Sequence, residues 1–286
     1  MRVLAPAKVN LTLRVLGRRT DGYHDIESLV QKISIYDRIT FLERDEPGIH
    51  LTCSDTSLPT GPDNLVYRAA ELMVKSSRRA KRGISLHLDK TIPSGAGLGG
   101  GSSDAAAVLM GLNTLWELSL AREELVEIGK EIGSDVPLFL HPSPSLITGR
   151  GEKVDPSPLL VDATYVVVFP GFSVSTRWAY SNFRLTKEPD IYRISALHKT
   201  ARGALPPNQW QNFLVNDLEE AVTISHPEIG RCKEDLLRAG AAASLMSGSG
   251  SAVFGLFEDR RTAENAARRL MEDGKQTALV ALPIFS

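Results

Sequence analysis

Five glycines fall within seven residues of the segment Pro93-Ser94-Gly95-Ala96-Gly97-Leu98-Gly99-Gly100-Gly101-Ser102-Ser103, and nothing else in the chain restricts its fold so tightly. Glycine lets a backbone adopt positive φ and approach a ligand closely. Ahead of the loop, Ile84–Leu88 alternates apolar and polar residues as a strand does. Behind it, apolar residues recur at helical spacing from Ser102 to about Leu118. A glycine loop that opens a helix is an anion site, because loop amides and the first-turn N–H groups converge there. Phosphate is the natural occupant. The alternative, a flexible linker, fits poorly between a strand and a helix.

Three well-known phosphate loops are excluded. A Walker loop requires Gly-Lys-Ser/Thr at its end, and Gly101 is followed by Ser102. Gly95, Gly97 and Gly100 satisfy G-x-G-x-x-G. The dinucleotide fold also needs a second strand within about 30 residues, ending in an acidic ribose ligand, and residues 102–132 read as helix almost throughout. Neither H-R-D nor D-F-G occurs, which removes the protein-kinase set.

The rest of the chain reads as a mixed α+β protein. Residues 2–16 and 26–43 read as strand, and Asp63-Asn64 precedes a helix over Leu65–Val74. Helices are expected at Arg122–Ile132, Asn212–Ile224, Pro227–Arg238 and Arg261–Met271. A strand pair is expected at Ala241–Met246 and Ala252–Phe257, and a last strand at Ala278–Ile284. Residues 141–160 are rich in proline and turn residues, which suggests a crossing between domains. With 286 residues, two domains are the default. The net charge of −1 suggests neither a nucleic-acid nor a membrane partner. The cluster Arg78-Arg79-Ala80-Lys81-Arg82 reads as a solvated helix end or loop. Two distant cysteines, Cys53 and Cys232, offer no disulfide framework or C-x-x-C metal pair, and a reducing cytoplasm fits them. The N-terminus is not a signal peptide, because Lys8 and Asn10 interrupt its apolar run.

Three segments in order carry a family resemblance: Ala5-Pro6-Ala7-Lys8-Val9-Asn10-Leu11, the glycine loop, and Met246-Ser247-Gly248-Ser249-Gly250-Ser251-Ala252-Val253-Phe254. They resemble the three motifs of the galactokinase–homoserine kinase–mevalonate kinase–phosphomevalonate kinase superfamily. Gly17-x-Arg19-x-Asp21-Gly22-Tyr23-His24, Gly133-Ser134-Asp135-Val136-Pro137 and Asn216-Asp217-Leu218-Glu219 resemble one branch of it. That branch phosphorylates the 2-hydroxyl of a cytidine-diphosphate-linked methylerythritol on the non-mevalonate route to isoprenoids. The resemblance implies a two-domain α/β fold with ATP and acceptor in the cleft between the domains. The expected N-terminal kinase domain is 1–155, rejoined by a C-terminal strand at 277–286, and the C-terminal substrate-side domain is 156–276. Mg²⁺ is implied with ATP, and its protein ligand is not visible in the sequence. The rivals are a homoserine- or mevalonate-type kinase and a ligand sensor without activity. Tyr23 and His24 argue against the first, and an intact Lys8, Asp135 and glycine loop against the second.

Each site residue also has a plainer reading. A strand lysine such as Lys8 ordinarily faces solvent, and the resemblance places it beside the reacting hydroxyl, where its charge stabilises the attacking oxygen. Asp135 ahead of Val136-Pro137 is an ordinary helix cap, and the resemblance makes it the base that accepts the substrate proton. Ser102 and Ser103 are candidates to bind phosphate or Mg²⁺ through their hydroxyls, and capping the helix is compatible with that role. Asp104, at that helix start, reads as complementing the helix dipole rather than as catalytic. Gly248, Ser249 and Gly250 form either a tight turn or a second wall of the site. The resemblance brings Tyr23 and His24 to the cytosine, with Tyr180 as a second stacking ring. Asn10 and Thr176 are candidates for polar contacts to substrate, and a core or turn role explains them equally well.

Overall fold

The computed structural model describes residues 1–76, 83–184, 203–272 and 277–285; the basic cluster Arg78–Arg82 lies outside them. The alternation over residues 2–16 resolves into two strands, β1 (Arg2–Asn10) and β2 (Thr12–Arg18), because Leu11 turns aside to bond its N–H to the Leu29 carbonyl. There follow β3 (His24–Arg44), β4 (Ile49–Cys53), α1 (Leu65–Ser76), β5 (Gly83–Asp89), α2 (Gly100–Leu115), α3 (Arg122–Ile132) and α4 (Val136–Leu140). Next come β6 (Ser145–Gly149), β7 (Lys153–Pro156), β8 (Leu159–Leu160), β9 (Thr164–Phe169), α5 (Thr176–Asn182), β10 (Gly203–Ala204), α6 (Pro207–Phe213) and β11 (Val215–Asn216). The chain closes with α7 (Glu219–Ser225), α8 (Pro227–Arg238), β12 (Ala243–Met246), β13 (Val253–Phe257), α9 (Arg260–Glu272) and β14 (Thr277–Ala281).

These elements form two compact units that are interleaved in sequence. The first takes Met1–Ala7, Tyr36–Ile92 and Gly99–His141; the second takes Lys8–Ile35, Pro93–Leu98 and the chain from Pro142 onward. The long strand β3 is the physical reason, since its early residues belong to the second unit and its later ones to the first.

In the first unit, the later part of β3 pairs antiparallel with β5, and β4 adds parallel to β5. Helix α2 lies directly on β3: a Cβ at Gly111 would sit 2.5 Å from the Phe41 ring. Val66, Ala69, Ala70 and Met73 of α1 and Ala105–Leu109 of α2 are buried in this core. In the second unit, β12, β13, β9 and β14 form an antiparallel sheet in that order. Helix α8 buries Ile229, Cys232 and Leu236, and α9 buries Ala263, Ala266 and Ala267. The early part of β3 pairs with β2 and β6 in the same unit. After β14 the chain runs beside β3, where Ile33 bridges Pro283.

Two sequence expectations are corrected. Residues 141–160 are not a bare crossing; β6 and β7 form a hairpin there, with β6 laddered to β3. The single helix expected at Asn212–Ile224 is instead α6, β11 and α7, because Val215 and Asn216 pair in parallel with Thr12 and Leu13. That pairing overrides a helical apolar spacing.

Candidate functional site

The glycine loop has the backbone its composition demands. Gly95, Gly97 and Gly99 have φ of 67°, 78° and 71°, in the left-handed region that side chains rarely adopt. At Gly97 the restriction is also steric, because a Cβ there would lie 2.1 Å from the Ser247 carbonyl oxygen. Four consecutive carbonyls are anchored within the second unit. Gly95 O accepts from Val174 N–H at 3.3 Å, Ala96 O from Ala252 N–H at 3.0 Å, Gly97 O from Ser247 Oγ at 3.0 Å, and Leu98 O from Lys8 N–H at 3.0 Å. In a trans peptide the N–H points opposite to the C=O. The amides that follow these carbonyls therefore face away from their anchors, as a phosphate cradle requires.

Lys8, near the end of β1, is buried, and its ammonium donates to Asn10 Oδ1. Asn10 Nδ2 donates to Ser28 Oγ at 2.8 Å, and Ser28 Oγ donates to the Thr12 carbonyl. Asn10 is itself buried, so both ends of its amide are engaged in orienting Lys8 from β2 and β3. The Ser247–Ser251 loop closes on the same place: a Cβ at Gly248 would sit 3.2 Å from each of Lys8 Nζ, Asn10 Oδ1 and Gly97 O. Thr176 lies 3.0 Å from Ser249 through their hydroxyls, which ties the start of α5 to that loop.

Tyr180 of α5 stacks on His24, with centroids 5.3 Å apart and planes 26° apart. Burial, and then the charge of Arg18, hold the His24 imidazole below its ordinary pKa, which favours the neutral ring at pH 7. Tyr23 is 59% exposed, and the Arg150 guanidinium sits 5.0 Å over its ring. Arg150 was missed in the sequence, where a single arginine in a glycine-flanked turn carries no signal.

In the first unit, Asp135 stands immediately ahead of α4, half-buried, and its side chain makes no capping hydrogen bond. The plain capping role is therefore not realised. Helix α2 is entered through Gly99, so Ser102 and Ser103 lie inside the helix rather than at its cap. Ser103 Oγ is buried without a hydrogen-bond partner. Asp104 does not face solvent at a helix end. It is buried and meets Lys90 Nζ at 3.0 Å, while the same ammonium bonds Asp37 of β3. Asp37 Oδ1 accepts the Thr91 and Ile92 amides at 2.6 and 2.8 Å. Burial pushes the Asp104 carboxyl up to about 7, with Lys90 opposing and Asp37 adding to the rise. Burial would lower Lys90, but the charges of Asp104 and Asp37 outweigh it and raise its pKa. Among the described residues there is no cluster of three or more His, Cys, Asp or Glu suited to a metal. No described helix is long and apolar enough to cross a membrane.

Comparison with known proteins is consistent across the chain. The model described as "GHMP kinases N terminal domain" matches residues 64–142, and "GHMP kinases C terminal" matches residues 196–276. The chain is 45% identical over 270 residues to a 4-diphosphocytidyl-2-C-methyl-D-erythritol kinase of Citrifermentans bemidjiense, covering 94% of each protein. It is 42% identical over 281 residues to the protein of that name in Syntrophotalea carbinolica, covering 98% of each. The crystal structure of a 4-(cytidine 5'-diphospho)-2C-methyl-D-erythritol kinase superposes with a TM-score of 0.84 at 36% identity, covering 100% of both chains. A homoserine kinase from Cytophaga hutchinsonii shares the fold, with a TM-score of 0.76 at 18% identity over 100% of this chain and 95% of that one.

Proposed function

The chain belongs to the GHMP kinases, in the group of the 4-diphosphocytidyl-2-C-methyl-D-erythritol kinases, and from that premise we propose how its residues carry the reaction. It is an ATP-dependent kinase that phosphorylates the 2-hydroxyl of 4-diphosphocytidyl-2-C-methyl-D-erythritol in non-mevalonate isoprenoid biosynthesis. In the transfer, the bond from the γ-phosphorus to the β,γ-bridging oxygen breaks. A bond from phosphorus to the acceptor oxygen forms, ADP leaves, and the hydroxyl proton passes to a base.

The observation that carries the phosphate assignment is the anchored loop. Its alternate glycines hold positive φ, and its carbonyls from Gly95 to Leu98 all accept hydrogen bonds from the second unit. The ATP phosphates are assigned to the segment Pro93–Ser103, with the free N–H groups of the loop and of the start of α2 as donors. Asp135, uncapping and half-buried, is assigned as the proton acceptor. Phosphoryl transfer is loose and places little early charge on the nucleophile, so orienting the hydroxyl matters as much as accepting its proton. Lys8 is assigned to stabilise the charge that does develop on the attacking oxygen. Its buried ammonium, oriented by Asn10, comes to the reaction with little to reorganise. Ser103 Oγ is a hard oxygen with no protein partner and fits Mg²⁺, which takes few protein ligands beside phosphate oxygens and water. When bound, Mg²⁺ would neutralise charge on the ATP phosphates. The pyrimidine is assigned to Tyr23 and the His24–Tyr180 stack, and Thr176 is assigned as a polar acceptor contact.

The test is a substrate screen on the purified protein with ATP and Mg²⁺, following ADP release and the phosphorylated product. Turnover is expected with the cytidine-diphosphate alcohol and not with homoserine, mevalonate or galactose. Efficient turnover of one of the latter three would overturn the acceptor assignment and leave the kinase chemistry standing.

A further inference from the structure

We propose that Asn216 is a positioning residue for the phosphoryl transfer, holding the Met246–Gly248 loop against Lys8 and the glycine loop. This rests on the kinase reading above. Asn216 is buried, and its amide is fully engaged in one direction. Nδ2 donates to the Met246 and Gly248 carbonyls, each at 2.8 Å, and Oδ1 accepts the Leu218 N–H at 3.0 Å. Two donors and one acceptor on so short a stem are available only from asparagine. Aspartate has the length but no donors when ionised, and glutamine is one methylene too long.

The position is anchored from behind. Val215 and Asn216 pair with Thr12 and Leu13, and Asp217 accepts Val15 N–H at 2.8 Å and Arg14 Nη1 at 2.9 Å. Asn216 is therefore fixed to β2, the strand that directly follows Lys8 and Asn10 in the chain. It grips a loop that touches those two residues. Ser247 Oγ donates to Gly97 O at 3.0 Å and accepts Asn10 N–H at 3.3 Å, and Gly248 is packed against Lys8 Nζ. Glu219 adds a second hook, with Oε2 accepting Met246 N–H at 2.8 Å and Oε1 bonding Lys233.

The sheet does not need these bonds. Strands β12 and β13 are laddered from Ala243↔Leu256 to Met246↔Val253, and Gly248 lies beyond that ladder. What the Asn216 bonds define is where the loop sits relative to Lys8 and Gly97.

The experiment compares wild type, Asn216→Asp and Asn216→Ala in steady-state kinetics with ATP and the cytidine-diphosphate acceptor at pH 6 and pH 8. Thermal unfolding and circular dichroism are recorded on the same samples. An ionised carboxylate facing two carbonyls pushes the loop away, and misplacement of reacting groups by about 1 Å costs roughly 100-fold. For Asn216→Asp at pH 8, kcat is expected to fall about 10- to 100-fold, while acceptor KM stays within about threefold because the His24–Tyr180 stack is untouched. Burial raises the pKa of the introduced carboxyl, and its protonated form regains one donor. The Asn216→Asp deficit should therefore shrink from pH 8 to pH 6, while the Asn216→Ala deficit stays constant. A merely structural role would lower the folded fraction without this pH-dependent recovery of kcat per folded molecule. Folded variants with wild-type kcat overturn the proposal, as does a loss fully accounted for by unfolding. If Asn216→Asp does not fold, wild-type kcat in Asn216→Ala is decisive against it. A wild type inactive on the acceptor refutes the kinase reading, and the proposal with it. An active wild type with unaffected variants refutes the proposal alone.

Discussion

Asp104→Asn should change how stability depends on pH. Asp104 is a buried residue of α2 itself, with Lys90 and Asp37 as its charged neighbours and Cys53 at the end of β4 nearby. Its carboxyl lies at about 7 against an ordinary value of 3.8. The folded state therefore binds this proton more tightly than the unfolded chain does. Stability from the group is fully present below its unfolded value and is lost as pH rises toward about 7. Treated as a single site, the displacement removes on the order of 3 kcal/mol between pH 5 and pH 8. Asparagine has the shape of the protonated acid, accepting from Lys90 through Oδ1 and offering Nδ2 to Asp37, but it does not titrate. The stability of the variant minus that of wild type should therefore grow by roughly 3 kcal/mol from pH 5 to pH 8. Other titrating groups are common to both proteins and cancel. Urea unfolding at several pH values measures the gap, which corresponds to roughly 1 M in the midpoint for a chain of this size. A gap that does not vary with pH would refute the reasoning and leave Asp104 ionised in the folded state across this range.

Gly97→Ala should abolish ATP binding, because the added Cβ meets the Ser247 carbonyl at 2.1 Å and the backbone sits at φ 78°; calorimetry on folded protein checks it, and unaltered affinity would place the phosphates elsewhere. Asp135→Ala should lower kcat about 10²- to 10⁴-fold with little change in ATP affinity, and near wild-type turnover would return Asp135 to a structural role. Tyr23→Ala should raise acceptor KM about 5- to 150-fold, the equivalent of ~1–3 kcal/mol of stacking, with kcat falling little and Tyr23→Phe much milder. An unchanged acceptor KM would mean that the cytosine binds away from Tyr23.

Local signals in the chain determined what local physics governs. Helix α3 begins at Arg122 and ends at Ile132 as read from the sequence, because acidic residues in its first turn and Gly133 beyond its end are short-range cues. Helix α8 runs from Pro227 to Arg238 for the same reason, with proline in the first turn and Gly240 past its end. The glycine loop showed its positive-φ turns in composition alone. The motif resemblance brought Lys8 and Asp135 forward, although periodicity favoured a solvent-facing lysine and a cap. Tertiary structure decided everything that depends on a distant partner. Asp104 reads from the sequence as complementing the helix dipole, but Lys90, 14 positions away, joins it to Asp37, 53 positions from that lysine. Asn216 lay within an expected helix until β2 paired with it and its amide reached Met246, 30 residues on. Apolar periodicity reports which face of a segment is buried, not what it is buried against. The partner is chosen by backbone pairing and by the cost of leaving buried polar groups unbonded, and both are set only when remote segments meet.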